Sequence, residues 1–179
     1  MIVQVRRDDI HCLHYDSPLG ALVLAARTQG LIGIWFMGQK HFKGVNPDWC
    51  EDRTSPLLMQ VAGVLDDYFA GRPPDIDMAL APDGTAFQQR VWQQLRTIAY
   101  GQCTTYGAIA RQIGSPGAVR AVAAAIGRNP ISIIVPCHRV LGADGSLTGY
   151  AGGLARKRQL LAIERDGAGV LDPALNRPA

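Results

Sequence analysis

Ile133-Ile134-Val135-Pro136-Cys137-His138-Arg139-Val140 sets a run of β-branched apolar residues against a proline, a thiol and an imidazole. With Ile131 and Ser132 in front, the run reads as a short buried strand. It stops at Pro136, because proline cannot donate to a sheet ladder. A cysteine at the end of a rigid element, beside a histidine and an arginine, suits a tuned nucleophile. Thiolate is the reactive form, and nearby positive charge lowers a thiol pKa. The same residues also fit a buried structural cysteine with a histidine bonded to backbone, and Cys-His alone does not choose between the two.

Upstream, Thr85 to Ile98 reads as a helix: Thr85 and Gln88 have the form of a capping box, and Phe87, Val91, Trp92 and Leu95 share one face. Thr105 caps a short helix to Ile113, which Gly114 stops. Ser115-Pro116 opens another, running to about Ile126. Two short helices across a Gly-Ser-Pro turn make a helix-turn-helix candidate. The second carries Ala118, Val119 and Ala121 to Ala125, all small, with Arg120 its one charge. A base-reading helix needs several long polar side chains. This one either presses its backbone close to DNA and pushes an arginine into the stack from the minor groove, or is an alanine-rich core helix.

Downstream, Gly142-Ala143-Asp144-Gly145-Ser146 reads as a tight turn and Thr148-Gly149-Tyr150-Ala151-Gly152-Gly153 as a glycine-rich loop. The loop lacks phosphate-binding spacing, but its small residues permit close approach of a flat ligand. Leu154 to Arg165 reads as a last helix ended by Gly167, with Leu154, Leu160, Leu161 and Ile163 inward. Its Arg156-Lys157-Arg158 cluster reads as a solvated face that would also suit phosphates. The tail from Ala168, with Pro173 and Pro178, is expected to be loosely ordered.

Before residue 81 the pattern changes. His11 to Tyr15, Ala21 to Ala25 and Leu31 to Met37 are extended runs joined by turns at Asp16–Gly20 and Arg27–Gly30, an antiparallel meander. Gly38 to Thr54 reads as loop. Ser55-Pro56 opens a helix whose face is Leu57, Leu58, Val61, Val64, Leu65, Tyr68 and Phe69, and Gly71 ends it. Asp75 to Leu80 is a further strand candidate. Pro82-Asp83-Gly84 is the expected joint between domains 1–81 and 82–179.

The chain has 179 residues and no apolar run long enough to span a membrane. Its start reads as no signal peptide, so its four scattered cysteines are expected to be free thiols in a reducing cytoplasm. Residues 1–84 carry seven Lys/Arg against eleven Asp/Glu, a net −4; residues 85–165 carry ten against two, a net +8. That asymmetry points to a polyanion partner or to an enzyme with a basic surface.

Pro136-Cys137-His138-Arg139-Val140, with Asn129-Pro130 before it and Thr148-Gly149-Tyr150-Ala151-Gly152-Gly153 after it, closely resembles the O6-alkylguanine-DNA alkyltransferases of the bacterial constitutive type. The likeness extends to Asp16-Ser17-Pro18-Leu19-Gly20, Tyr68-Phe69-Ala70-Gly71 and Phe87-Gln88-Gln89-Arg90-Val91-Trp92. It implies an α+β fold: a ribonuclease H-like domain with a small antiparallel sheet, then a mostly helical domain with the helix-turn-helix. It implies direct-reversal DNA repair, in which an alkyl group passes once and irreversibly from O6 of guanine, or O4 of thymine, to the protein's own cysteine. No cofactor is implied. The implied partner is double-stranded DNA, bound from the minor groove without sequence preference by a cytoplasmic monomer, with cooperative assembly left open.

Residue by residue, the resemblance makes Cys137 the acceptor, His138 its base through a water, and Glu164 the carboxylate that orients His138. Glu164 is also one of only two acids in the basic half, which independently suggests pairing with His138 or an arginine. Asn129 matches the asparagine that bonds backbone near the cysteine, and Tyr106 the tyrosine that protonates N3 of the leaving guanine. Arg120 matches the arginine that replaces the flipped base, with Thr105, Ala118, Val119 and Gly127 as further DNA contacts. Val140, Tyr150, Ala151 and Gly152 match the base pocket. Some relatives carry a structural zinc; Arg7, Ala26 and Leu31 stand at those positions here, so no metal is expected. Ala151 replaces a serine of some relatives, removing a hydroxyl and leaving the preferred alkyl size open.

A lesion-binding module without transfer is disfavoured by Cys137, His138 and Glu164. A cysteine hydrolase would not need a basic helix-turn-helix half, and a transcription regulator would need base-reading side chains after Pro116.

Overall fold

The computed structural model describes residues 9–166, so the expectations for Gly167 and the tail lie outside the described residues. Strands β1 (His11–Ser17), β2 (Gly20–Arg27) and β3 (Gly30–Phe36) form the expected meander. The loop region adds a short β4 (Cys50–Glu51), parallel to β1, giving the order β3-β2-β1-β4. Helix α1 (Pro56–Phe69) starts as its sequence dictates, the Ser55 hydroxyl accepting from Leu58 N. Its buried stripe, Leu58, Val61, Leu65 and Tyr68, packs on one face of the sheet with Leu22, Leu24 and Ile34. The other face is covered by the segment between β3 and β4, where Phe42 stacks on Trp35 with centroids 4.8 Å apart.

The candidate strand over 75–80 shrinks to one bridge, Leu31 paired with Leu80. Leu31 N→Ala79 O and Ala81 N→Leu31 O hold the bridge, and the Gln60 amide donates to Asp77 O at 2.9 Å. Ile76, Met78 and Leu80 still turn toward the core on alternate positions, so the period-2 pattern holds although the ladder does not extend beyond the bridge.

The second half builds on α2 (Ala86–Leu95), with the Thr85/Gln88 capping box formed in full. A two-residue strand, β5 (Thr104–Thr105), leads into α3 (Tyr106–Gln112), capped by the Thr105 hydroxyl accepting from Ala108 N. After a turn at Gly114, whose φ of 71° favours glycine, comes α4 (Val119–Gly127). Ser115 does not cap it; its carbonyl closes a turn by accepting from Ala118 N, and α4 begins three residues later than expected. The Trp92 indole N–H donates to Ala125 O at 2.9 Å and locks α4 onto α2. Strand β6 (Val140–Leu141) pairs parallel with β5, and α5 (Leu154–Asp166) closes the described chain.

The Ile131–Val135 run is buried as expected but is not a strand. One bridge, Ile34 to Ile131, is followed by turns, with Ile133 at φ 72°. A β-branched residue at positive φ is a strained outlier. The Asn129 side chain over-determines it, accepting from Ile131 N and donating to the carbonyls of Ile131 and Val135. Apolar burial set the composition, and an asparagine clamp set the backbone.

On α5, Leu154 is exposed and Leu161 only half-buried, contrary to expectation. The basic cluster is not a solvated face either. Lys157 is fully buried, and Arg156 lies 4.6 Å over the Phe36 ring while bonding Leu19 O and Gly152 O. Only Arg158 is exposed. The core runs unbroken from the sheet into the helical half. Among the described residues no helix is long and apolar enough to cross a membrane.

Candidate active site

Cys137 opens a single 3-10 turn, Cys137–Arg139, at the end of the asparagine-clamped segment. The same Asn129 amide donates to Cys137 Sγ at 3.1 Å, so one side chain fixes the strained backbone and the sulfur together. The pairing of β5 with β6 sets Thr105 beside Leu141 and so brings Tyr106, the first residue of α3, to the same pocket. Residues far apart in sequence thus meet through two short strands.

Behind Cys137 lies a closed polar cluster. His138 Nε2 donates to Glu164 Oε1 at 2.5 Å, and Tyr68 donates to the same oxygen at 2.9 Å. Arg139 grips both carboxylate oxygens, at 2.8 Å and 3.1 Å, and donates to Ile98 O at 2.6 Å. Gly101 N donates to Glu164 Oε2. A carboxylate taken out of water needs such company. Burial works against its charge, but the hydrogen bond from His138 and the hydrogen bonds and charge of Arg139 outweigh it and hold Glu164 at about 2.

His138 is fully buried, and burial pushes its pKa below the usual range, against the pull of Glu164 and with the help of Arg139 and Lys157. It is therefore a neutral imidazole whose Nε2 carries the proton. Its Nδ1 is buried and meets no protein partner among the described residues, leaving its lone pair as the base.

Burial likewise raises the Cys137 thiol, although Asn129 and the Lys157 charge partly oppose it. The expectation of a thiol lowered by its cationic neighbours fails, because desolvation of the thiolate exceeds their attraction. The resting group is a protonated thiol that needs a base to become reactive.

In front of Cys137 a pocket of about 600 Å³ opens to the surface. Tyr106, Gly127, Thr148, Gly149, Tyr150 and Ala151 line it, with Lys40 and His41 of the first half on the opposite rim. The Tyr106 hydroxyl donates to Thr148 O at 3.0 Å, and burial raises its pKa. Gly152 packs against Tyr150 and Phe36, where a Cβ would stand 2.7 Å from the Tyr150 ring. Gly152 and Val140 therefore support the wall without lining it. Lys157 Nζ donates to Val140 O and Thr148 O, at 2.6 Å and 2.7 Å, and ties the wall together. Arg120 and Val119 lie exposed on α4, Ala118 precedes it, and Thr105 caps α3; none of these four lines the pocket.

Sequence reasoning missed Tyr68, Arg139 and Lys157 as members of the site. Tyr68 stood within an apolar stripe, yet a buried tyrosine hydroxyl requires a partner, and that was the available signal.

Residues 10–82 match the family model for the ribonuclease-like domain of 6-O-methylguanine DNA methyltransferase, and residues 86–166 match the model for its DNA binding domain. A methylated-DNA–protein-cysteine methyltransferase of Mycobacterium leprae is 47% identical over 87% of this chain and 93% of its own. One from Haemophilus influenzae is 43% identical over 87% of each chain. The crystal structure of Mycobacterium tuberculosis OGT in complex with DNA superposes with a TM-score of 0.82 at 44% identity, covering 93% of this chain and 98% of that one.

Proposed function

Because this chain belongs to the 6-O-methylguanine DNA methyltransferase family, we propose that Cys137 is the sulfur that takes the alkyl group from O6-alkylguanine in DNA, once and irreversibly. One observation carries the assignment. Cys137 lies at the floor of a pocket wide enough for a base, with a neutral histidine fixed by a charged carboxylate directly behind it.

A base within a duplex hides its O6, so the nucleotide is extruded into the pocket at a cost of a few kcal/mol. Arg120, exposed on α4, fills the gap from the minor groove. Val119, Ala121 and Ala124 beside it are small and exposed, and α4 has no other charged side chain, which supports binding without sequence preference. Thr105, Ala118 and Gly127 are assigned to the same DNA-facing surface.

In the pocket, His138 Nδ1 takes the thiol proton through a water. The thiolate attacks the alkyl carbon, the S–C bond forms, and the C–O6 electron pair passes into the guanine. The Tyr106 hydroxyl supplies a proton to N3, a kind of positioned acid that commonly contributes about 10²–10⁴-fold. The Ala151 backbone on the pocket wall holds the guanine edge, with Tyr150 beside it and Val140 and Gly152 supporting the wall from behind. The protein acts as a cytoplasmic monomer, with 82–84 as the joint between its two domains. O4-alkylthymine is a second substrate of the same pocket.

The test is stoichiometry. Protein incubated with excess duplex containing O6-methylguanine should restore one guanine per chain and then stop. Continued turnover would contradict suicide transfer.

A further inference from the structure

The pocket over Cys137 has one wall that the relay does not use. Lys40 and His41, from the segment between β3 and β4, line its rim together with Arg128, the residue that follows α4. Lys40 and Arg128 belong to opposite halves of the chain, and both are exposed. Neither forms an ion pair among the described residues. The neighbouring acid, Asp83, is taken by Arg27 at 2.9 Å. Two unpartnered cations therefore stand at the mouth through which a nucleotide must pass.

The turn that carries Lys40 is held at both ends. Gln39 is buried, and its side-chain oxygen accepts from Phe36 N at 2.9 Å and from the Ser132 hydroxyl at 3.4 Å. Phe42 returns N–H to Gln39 O and stacks on Trp35. Between these anchors His41 sits at φ 68°, a left-handed conformation that histidine adopts more readily than most residues. Lys40 N donates to Ala151 O at 3.0 Å, pinning the tip of the turn to the pocket wall. A surface lysine on a loose loop has much backbone freedom to lose on binding; this one has little.

We propose that Lys40 and Arg128 form a two-domain clamp on the phosphates that flank the extruded nucleotide. The inference rests on the reading that a DNA base enters the Cys137 pocket. Only the base fits within; its sugar and the two adjoining phosphodiesters stay at the rim, where the two cations wait. The partner is the backbone of the lesion-bearing strand itself, so the clamp favours the flipped state without reading sequence. It gives the first half of the chain a part in recognition, and it adds two cations across the pocket from Arg120.

The experiment compares Lys40→Ala, Arg128→Ala and the double variant with the parent chain. Transfer is measured from duplex DNA carrying O6-benzylguanine and from free O6-benzylguanine, and duplex binding is measured across a salt series. Each single substitution should slow duplex transfer about tenfold more than free-base transfer. Each should also flatten the slope of log affinity against log salt by about one, and the double variant by about two. Lys43→Ala is the comparison, since Lys43 lines the adjoining groove but not the Cys137 pocket. Equal losses on both substrates, an unchanged salt slope, or a Lys43→Ala effect as large as that of Lys40→Ala would each overturn the clamp. Absence of any transfer by the parent chain from either substrate would overturn the reading beneath it, and the clamp with it.

Discussion

The interior behind Cys137 and the surface in front of it are built from opposite materials. Behind, Glu164, His138, Arg139 and Tyr68 are buried and bonded to one another at 2.5–3.3 Å. In front, α4 presents small side chains with the exposed Arg120, and the rim offers Lys40 and Arg128, which meet no carboxylate among the described residues. The difference separates two tasks. Proton transfer needs fixed dipoles held away from bulk solvent, where electrostatic interactions are strong and need little reorganisation. Sequence-independent recognition needs charge and close approach, which exposed cations and alanines supply.

Substitutions should sort along this division. Cys137→Ser should abolish transfer while duplex binding stays near that of the parent in a gel-shift titration; surviving transfer would move the nucleophile elsewhere. Glu164→Gln should be the most damaging change behind the cysteine. It leaves Arg139 buried without its counter-charge, a class of loss worth about 3–5 kcal/mol, visible in urea unfolding, and it should slow transfer from the free base as much as from duplex. Tyr68→Phe removes one hydrogen bond to a charged oxygen and should cost about 1.5–3 kcal/mol, measured the same way. Arg120→Ala should slow duplex transfer about tenfold more than free-base transfer, with unfolding unchanged; equal slowing would place Arg120 in the chemistry rather than the flipping step.

The smallest effect is with pH. Glu164 is held at about 2, against 4.5 for the free group. Its folded pKa is depressed, so its contribution is fully present above pH 4.5 and is lost as pH falls through about 2. Glu164→Gln should therefore remove part of the slope of stability against pH between those values. A slope identical to the parent's would mean that other carboxylates carry it.

Much of this arrangement was legible in the residues. Ser55-Pro56 and Thr85 with Gln88 fixed the starts of α1 and α2 through local hydrogen bonds. The alternation of turns and apolar runs from His11 to Phe36 gave the meander. Cys137, His138, Glu164, Asn129 and Tyr106 were named from a resemblance, and the structure bonds Asn129 to Cys137 and His138 to Glu164, with Tyr106 on the pocket wall. What was not legible depended on contacts between distant segments. The Ile131–Val135 run had the composition of a strand, but Asn129 bends it into turns around Ile133. Lys157 looked solvated because its neighbours are basic, yet three carbonyls from two other segments draw it inside. Tyr68 crosses from the first half to a carboxylate 96 residues later, a pairing that no local pattern encodes.

The most direct test of the account is where the alkyl group ends. Intact-protein mass spectrometry after incubation with an O6-benzylguanine oligonucleotide, followed by peptide mapping, reads this in one experiment. The account predicts a single benzyl adduct, saturating at one per chain, on the peptide that contains Cys137. An adduct on Cys50 or Cys103, both exposed, or a lesion complex with no adduct at all, would contradict it.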